Sequence, residues 1–144
     1  MRLEPGAVAV VTGGASGIGL ALCEALYARG LNIVLADIEA PALKTALGQF
    51  SDERAIGVRT DVSKLEDVTA LRDAALARFG RIDLVVNNAG VFSRFAPMWE
   101  IEMVEWKWVI DVNLWGVIHG IHVFVPTLIA QGEGHIVNVS SLAG

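Results

Sequence analysis

The sequence predicts an α/β fold built on one parallel sheet wound on both faces by helices. Three observations predict it. Apolar, β-branched runs alternate with helical patterns five times along the chain. Those runs are continuous rather than alternating in polarity, as strands covered on both faces require. The 144 residues suffice for one domain's core, with no internal repeat, low-complexity segment or linker, so residues 1–144 read as a single domain. Strands joined through helices in this way take right-handed crossovers.

Each element has its own signal. "AVAVV" (7–11) is the first strand. The helix after it should run from about Ile18 to Arg29, with Gly30 as its stop. "NIVLA" (32–36) is the second strand, and a second helix begins near Pro41, a residue suited to a first turn. "IGVR" (56–59) is the third strand. The third helix shows a capping box, Ser63 with Glu66, and runs to Phe79 before Gly80. "DLVVN" (83–87) is the fourth strand. A long helical region, about Ile101 to Ala130, should bend or break near Asn113, and "HIVNV" (135–139) is the fifth strand.

Composition excludes several classes. A net charge of −5 with no basic stripe argues against nucleic-acid binding. The most apolar stretch, Val117 to Ala130, is too short to span a bilayer, so no membrane association is expected. The N-terminus shows no secretion signal, and the lone Cys23 fits a reducing cytoplasm. Cys23 itself reads as a small buried hydrophobe. His119 and His122 have no evident third ligand, so no metal site is expected. The tryptophans at 99, 106, 108 and 115 read as core and interface packing rather than a substrate wall.

The chemistry is concentrated in "VVTGGASGIG" (10–19). Gly13, Gly17 and Gly19 follow a strand and open a helix, the context of a dinucleotide-binding turn. Glycine lets the backbone approach a pyrophosphate, and the helix N-terminus offers it free N–H groups. An unliganded glycine-rich turn is the plainer alternative. Asp37 ends the second strand, where a carboxylate can accept from the adenosine ribose hydroxyls and repel a 2′-phosphate. That favours NAD over NADP. The nearest cationic residue along the chain is Lys44.

Five motifs together resemble one family. "TGGASGIG" (12–19), Asp61-Val62, "NNAG" (87–90), Asn113 in "DVNLWG" and "IVNVSSLAG" (136–144) are similar, in order and spacing, to those of the classical short-chain dehydrogenases/reductases. The resemblance implies a Rossmann-type doubly wound sheet of order 3-2-1-4-5, lacking the family's last two strands. It implies an NAD-dependent oxidoreductase that moves hydride between an alcohol or ketone and nicotinamide. Gly13, Ser16, Gly17, Ile18 and Gly19 would line the pyrophosphate. Asp37 would hold the ribose, and Asp61 and Val62 would flank the adenine. Asn88, Ala89 and Gly90 would line the cofactor's path. Ser141 would hydrogen-bond the substrate oxygen, and Asn113 would hold a water in the proton relay. Each has a plainer role open to it: strand-end capping for Asn87 and Asn88, a turn for Ser140 and Ser141, a helix kink for Asn113.

One departure accompanies the match. The family's acid/base tyrosine, with a lysine four residues later, is expected about a dozen residues beyond Ser141. The sequence holds one tyrosine, Tyr27, on the first helix. A non-catalytic dinucleotide-binding module is therefore the alternative function. The resemblance also implies a homo-oligomer through the long helix around 115–130, and the fifth strand is expected as an exposed edge. The chain alone should then self-associate; a clean monomer at high concentration would contradict this.

Overall fold

A computed structural model describes residues 4–141; residues 1–3 and 142–144, the latter closing the "IVNVSSLAG" stretch, lie outside the described residues. Five parallel strands form one sheet in the order β3-β2-β1-β4-β5. They are β1 (Val8–Thr12), β2 (Asn32–Asp37), β3 (Ala55–Arg59), β4 (Leu84–Asn87) and β5 (His135–Asn138). The helices between them are α1 (Gly17–Ala28), α2 (Ala40–Leu47), α3 (Leu65–Phe79), α4 (Met103–Ile110) and α5 (Gly116–Gln131).

Side-chain alternation along the strands divides the core in two. Val8, Val10, Val34 and Val85 face α3 and α5, where they meet Val68, Leu71 and the fully buried Phe124. Ala9, Val11, Ile33 and Leu35 face α1 and α2, where they meet Cys23, Leu26 and Leu43. β1 is buried along its whole length between β2 and β4. This explains its unbroken apolar character: each residue removes a side chain from water on one face or the other, worth about 1.5–3 kcal/mol for a valine or larger.

The element order and most boundaries follow the sequence expectation, with three departures. The Ser63–Glu66 capping box does not form. Helix α3 starts at Leu65 and its flanking residue, Lys64, makes no side-chain cap. Ser63 instead donates from Oγ (2.6 Å) and N (3.1 Å) to Asp61 Oδ1, a local turn that competes with capping. Asp67 Oδ2 takes the Asp61 N–H at 2.9 Å. Second, three of the four tryptophans are not core, and the fourth, Trp106, is half-buried. Trp99, Trp108 and Trp115 are 85%, 48% and 47% exposed. Third, α4 and α5 are joined through residues 111–115 into one helical run, Met103–Gln131, which by length and composition alone could cross a membrane. In this fold its inner face, Val123, Phe124 and Leu128, is buried against the sheet. The stretch 117–130, read from the sequence as too short to span a bilayer, is the second half of that run.

The long helix does change geometry where expected. Asp111–Trp115 forms a π-helical turn centred on Asn113. Such turns insert a bulge into an α-helix and recur at functional sites.

Cys23 is fully buried, and burial, with the charge of Glu24 second, pushes its thiol up to about 12 from 9.0. A folded pKa above the unfolded one means stability that is complete below pH 9 and lost as pH rises through about 12. We expect Cys23→Ala to flatten the fall in the urea midpoint across that window. Parallel losses in variant and parent would contradict this.

Candidate functional site

The carboxyl end of the sheet gathers the predicted residues. The glycine turn follows β1, Asp37 closes β2, Asp61 and Val62 follow β3, and Asn88 to Gly90 follow β4. Open α/β sheets bind ligands at this end, beside the strand where the order reverses, here β1 between β2 and β4.

The turn's shape depends on its glycines. Gly13 sits at φ +64, and a Cβ there would come within 3.0 Å of Ala89 Cα. At Gly19 a Cβ would overlap the carbonyl oxygen of Gly13 and approach Asn88 Nδ2 at 2.6 Å. The turn is therefore packed against the loop after β4. Ser16 precedes α1 in extended conformation, without a side-chain cap, and the first turn holds no acidic residue. The first amides of α1 lack intrahelical acceptors, and among the described residues no carboxylate is hydrogen-bonded to them. Ser16, Gly17 and Ile18 are exposed, with Ile18 at 66%.

Asp37 touches this turn directly. Its Oδ2 accepts from Ala15 N and its Oδ1 from Glu39 N, each at 3.1 Å. Each carboxylate oxygen keeps acceptor capacity beyond one such bond. The β2–β3 ladder pairs Asp37 with Arg59, and no ion pair joins them among the described residues. Lys44 is nearest along the chain, but across the sheet the neighbouring cation is Arg59. Sequence separation hid it.

Thr12 was legible only as a motif letter, and it ties three segments together. Its Oγ1 accepts from Asn88 N (3.0 Å) and Ala89 N (3.1 Å) and donates toward Val86 O. Asn88 returns the link, donating from Nδ2 to Thr12 O at 2.9 Å and Gly13 O at 3.3 Å. Gly90 lies beside Asn113, whose Oδ1 would be 3.6 Å from a Cβ at Gly90. Asn113 clasps the backbone of Val91 at both ends of its amide: Val91 N donates to Oδ1 (2.8 Å) and Nδ2 donates to Val91 O (2.7 Å). The π turn thus holds the loop that leaves β4.

Asn87, the plainer half of its motif, pairs with β5. Its Nδ2 donates to Asn138 Oδ1 at 2.8 Å, and α5 leaves room for it at Gly120, where a Cβ would overlap the amide. Asn138 stands three residues before Ser141, which is exposed at the end of the described chain. Tyr27 is elsewhere. It lies at the far end of α1, where its hydroxyl accepts from Ser51 N at 3.1 Å and Arg54 lies 3.8 Å over its ring. The Ser51 bond, with Arg54, lowers its pKa from the ordinary value. A 12-residue helix of roughly 18 Å separates it from the glycine turn.

A model of the short chain dehydrogenase family matches residues 7–144. The chain belongs to the short-chain dehydrogenase family. It is 43% identical over 139 residues to the cis-4-hydroxycyclohexanecarboxylate dehydrogenase of Sinomonas cyclohexanicum, covering 95% of this chain and 55% of the relative. A short-chain dehydrogenase/reductase of Burkholderia phymatum, solved in complex with NAD, is 44% identical with a TM-score of 0.94, covering 99% of this chain and 52% of that one. The 3-ketoacyl-(acyl-carrier-protein) reductase of Brucella melitensis, solved with NADH, is 33% identical with a TM-score of 0.92, covering 97% and 59%. The chain therefore spans about half the length of the short-chain dehydrogenases it matches. The parallel five-stranded sheet of order 3-2-1-4-5 is the shared part.

Proposed function

We propose that this chain holds NAD at the carboxyl end of its sheet and belongs to an oxidoreductase that exchanges hydride between an alcohol or ketone and the nicotinamide. The observation that carries this reading is Asp37: a carboxylate set at the second strand's end and hydrogen-bonded to the glycine turn itself. Family membership and the NAD and NADH named for two structural relatives support a nicotinamide cofactor.

The residues present fit that group. The cradle at Gly13 and Gly19 has no space for side chains, and the first turn of α1, with its amides at Gly17, Ile18 and Gly19, holds no acidic residue. The cofactor supplies the hydride chemistry when bound. The chain's own work is positioning. The α1 amides take the pyrophosphate, and Asp37 takes the ribose hydroxyls and disfavours a 2′-phosphate. Asp61 and Val62 flank the adenine, and Asn88, Ala89 and Gly90 line the path toward the nicotinamide. Ser141 hydrogen-bonds the substrate oxygen, and Asn113 holds a water with its backbone while its side chain braces Val91. The 115–130 helix, with Trp115, Ile118 and Ile121 partly exposed, is the surface we assign to a second copy of the chain. Its partners are otherwise small molecules.

The test is turnover by the protein at its natural full length. With NAD and a panel of secondary alcohols, NADH should form, and Ser141→Ala should lower kcat/KM by about 10²-fold or more. No NADH from any alcohol, in a protein that binds NADH, would overturn the oxidoreductase reading.

A further inference from the structure

His119 makes a contact that none of the motifs contains. It lies on α5, and its ring Nδ1 is 2.9 Å from the carbonyl oxygen of Val62, 57 positions away in sequence. A carbonyl only accepts, so Nδ1 carries the proton and donates. Gly116, one turn earlier on the same face, meets the same residue. A Cβ there would come within 2.7 Å of Val62 Cγ2. Helix α5 therefore fixes Val62 twice: the absent side chain at 116 seats the valine's methyls, and His119 takes its backbone oxygen. The Trp115 ring, 6.0 Å from the imidazole between centroids, adds a loose tilted contact beside His119.

The segment so held has little else joining it to α5. Apart from the Thr60 N–H, which donates to Asp37 O at 2.9 Å and ties the start of the turn to the end of β2, its other bonds are short-range. Asp61 N donates to Asp67, Ser63 donates to Asp61, and Lys64 N donates to Asp61 O at 3.0 Å. These shape the turn internally. They do not set its distance from the long helix. The His119 bond is the polar link from this turn to α5 among the described residues.

We propose that His119 is a positioning residue for the adenine side of the cofactor site, acting through the carbonyl of Val62. This rests on the reading of Asp61 and Val62 as the adenine wall. A side chain that fixes the wall should matter for the adenosine half of the dinucleotide and not for the nicotinamide half.

The experiment uses two variants of the full chain. His119→Leu keeps comparable bulk and loses the donor. His119→Asn places an amide N–H near the position of Nδ1. Titrations with ADP-ribose and with reduced nicotinamide mononucleotide read the two halves separately. His119→Leu should raise the ADP-ribose Kd about 3- to 10-fold, the worth of one hydrogen bond. The mononucleotide Kd should stay unchanged, and His119→Asn should restore the ADP-ribose value to within about twofold. An unchanged ADP-ribose Kd in His119→Leu, or equal weakening of both probes, overturns the proposal. Amide hydrogen exchange without any ligand gives the second readout. His119→Leu should speed exchange at Asp61, Ser63 and Lys64, and His119→Asn should not; unaltered exchange overturns the anchor itself. A parent chain that binds neither probe overturns the cofactor-site reading instead, and the exchange data still decide whether His119 holds the turn.

Discussion

Asp37→Ser should lower the affinity for NADH by about tenfold to hundredfold and raise that for NADPH. The loss follows from removing a charged acceptor at the ribose, worth roughly 1.5–3 kcal/mol. The gain has two sources. The carboxylate that repels a 2′-phosphate is gone, and Arg59, paired with position 37 across the β2–β3 ladder, is left as the neighbouring cation. The gain should be smaller than the loss, because Asp37 also accepts from Ala15 N at 3.1 Å and so braces the turn that both cofactors need. Adding Arg59→Ala should abolish the NADPH gain and leave the NADH loss in place. Fluorescence titration of the two variants with both reduced cofactors decides it. Equal effects of Asp37→Ser on NADH and NADPH would mean that Asp37 acts only as a brace.

Gly19→Ala should be the most damaging single methyl group in the chain. The added carbon would meet the Gly13 carbonyl and stand 2.7 Å from the Gly13 carbonyl carbon, both backbone atoms that cannot rotate away. It would also push Asn88 Nδ2 off Thr12 O and Gly13 O. Alanine's helix preference, worth up to about 1 kcal/mol over glycine, works the other way. Overpacking against backbone should win, with a net loss of about 3 kcal/mol in stability and no measurable NADH binding. Gly17→Ala is the internal comparison. It has open space around it but a φ of +52, so its cost is backbone strain alone, about 1 kcal/mol. Denaturant midpoints order the three proteins. A Gly19→Ala chain as stable as Gly17→Ala would refute the close packing of the turn against the β4 loop.

The fold was legible because each strand is short, apolar on both faces and separated by a helix with its own stop signal. β1 and β2 are readable within a residue or so of their ends, and the sequence puts the bend of the long helix near Asn113, where the π turn lies. Local competition was harder to read. Ser63 had two partners of similar worth, and the sequence could not rank Asp61 above the helix it precedes. The exposure of Trp99, Trp108 and Trp115 is not legible in the sequence, because side-chain size does not say which residues the fold leaves toward solvent. The site residues were named through motifs. Their links were not, since Thr12 to Asn88 spans 76 positions, Asn113 to Val91 spans 22, and His119 to Val62 spans 57. Contacts of that kind are made by topology, and a single sequence carries no period or spacing that marks them. Arg59 beside Asp37 is the same lesson for charge: a cation remote along the chain is adjacent across a parallel ladder.

The central claim is that the glycine turn and Asp37 together hold a nicotinamide dinucleotide without a 2′-phosphate. Titrating the unsubstituted chain with NADH and NADPH side by side tests it most directly. The account predicts saturable NADH binding at least about tenfold tighter than NADPH, the discrimination expected of one charged acceptor. Equal affinities, or tighter NADPH, would contradict it.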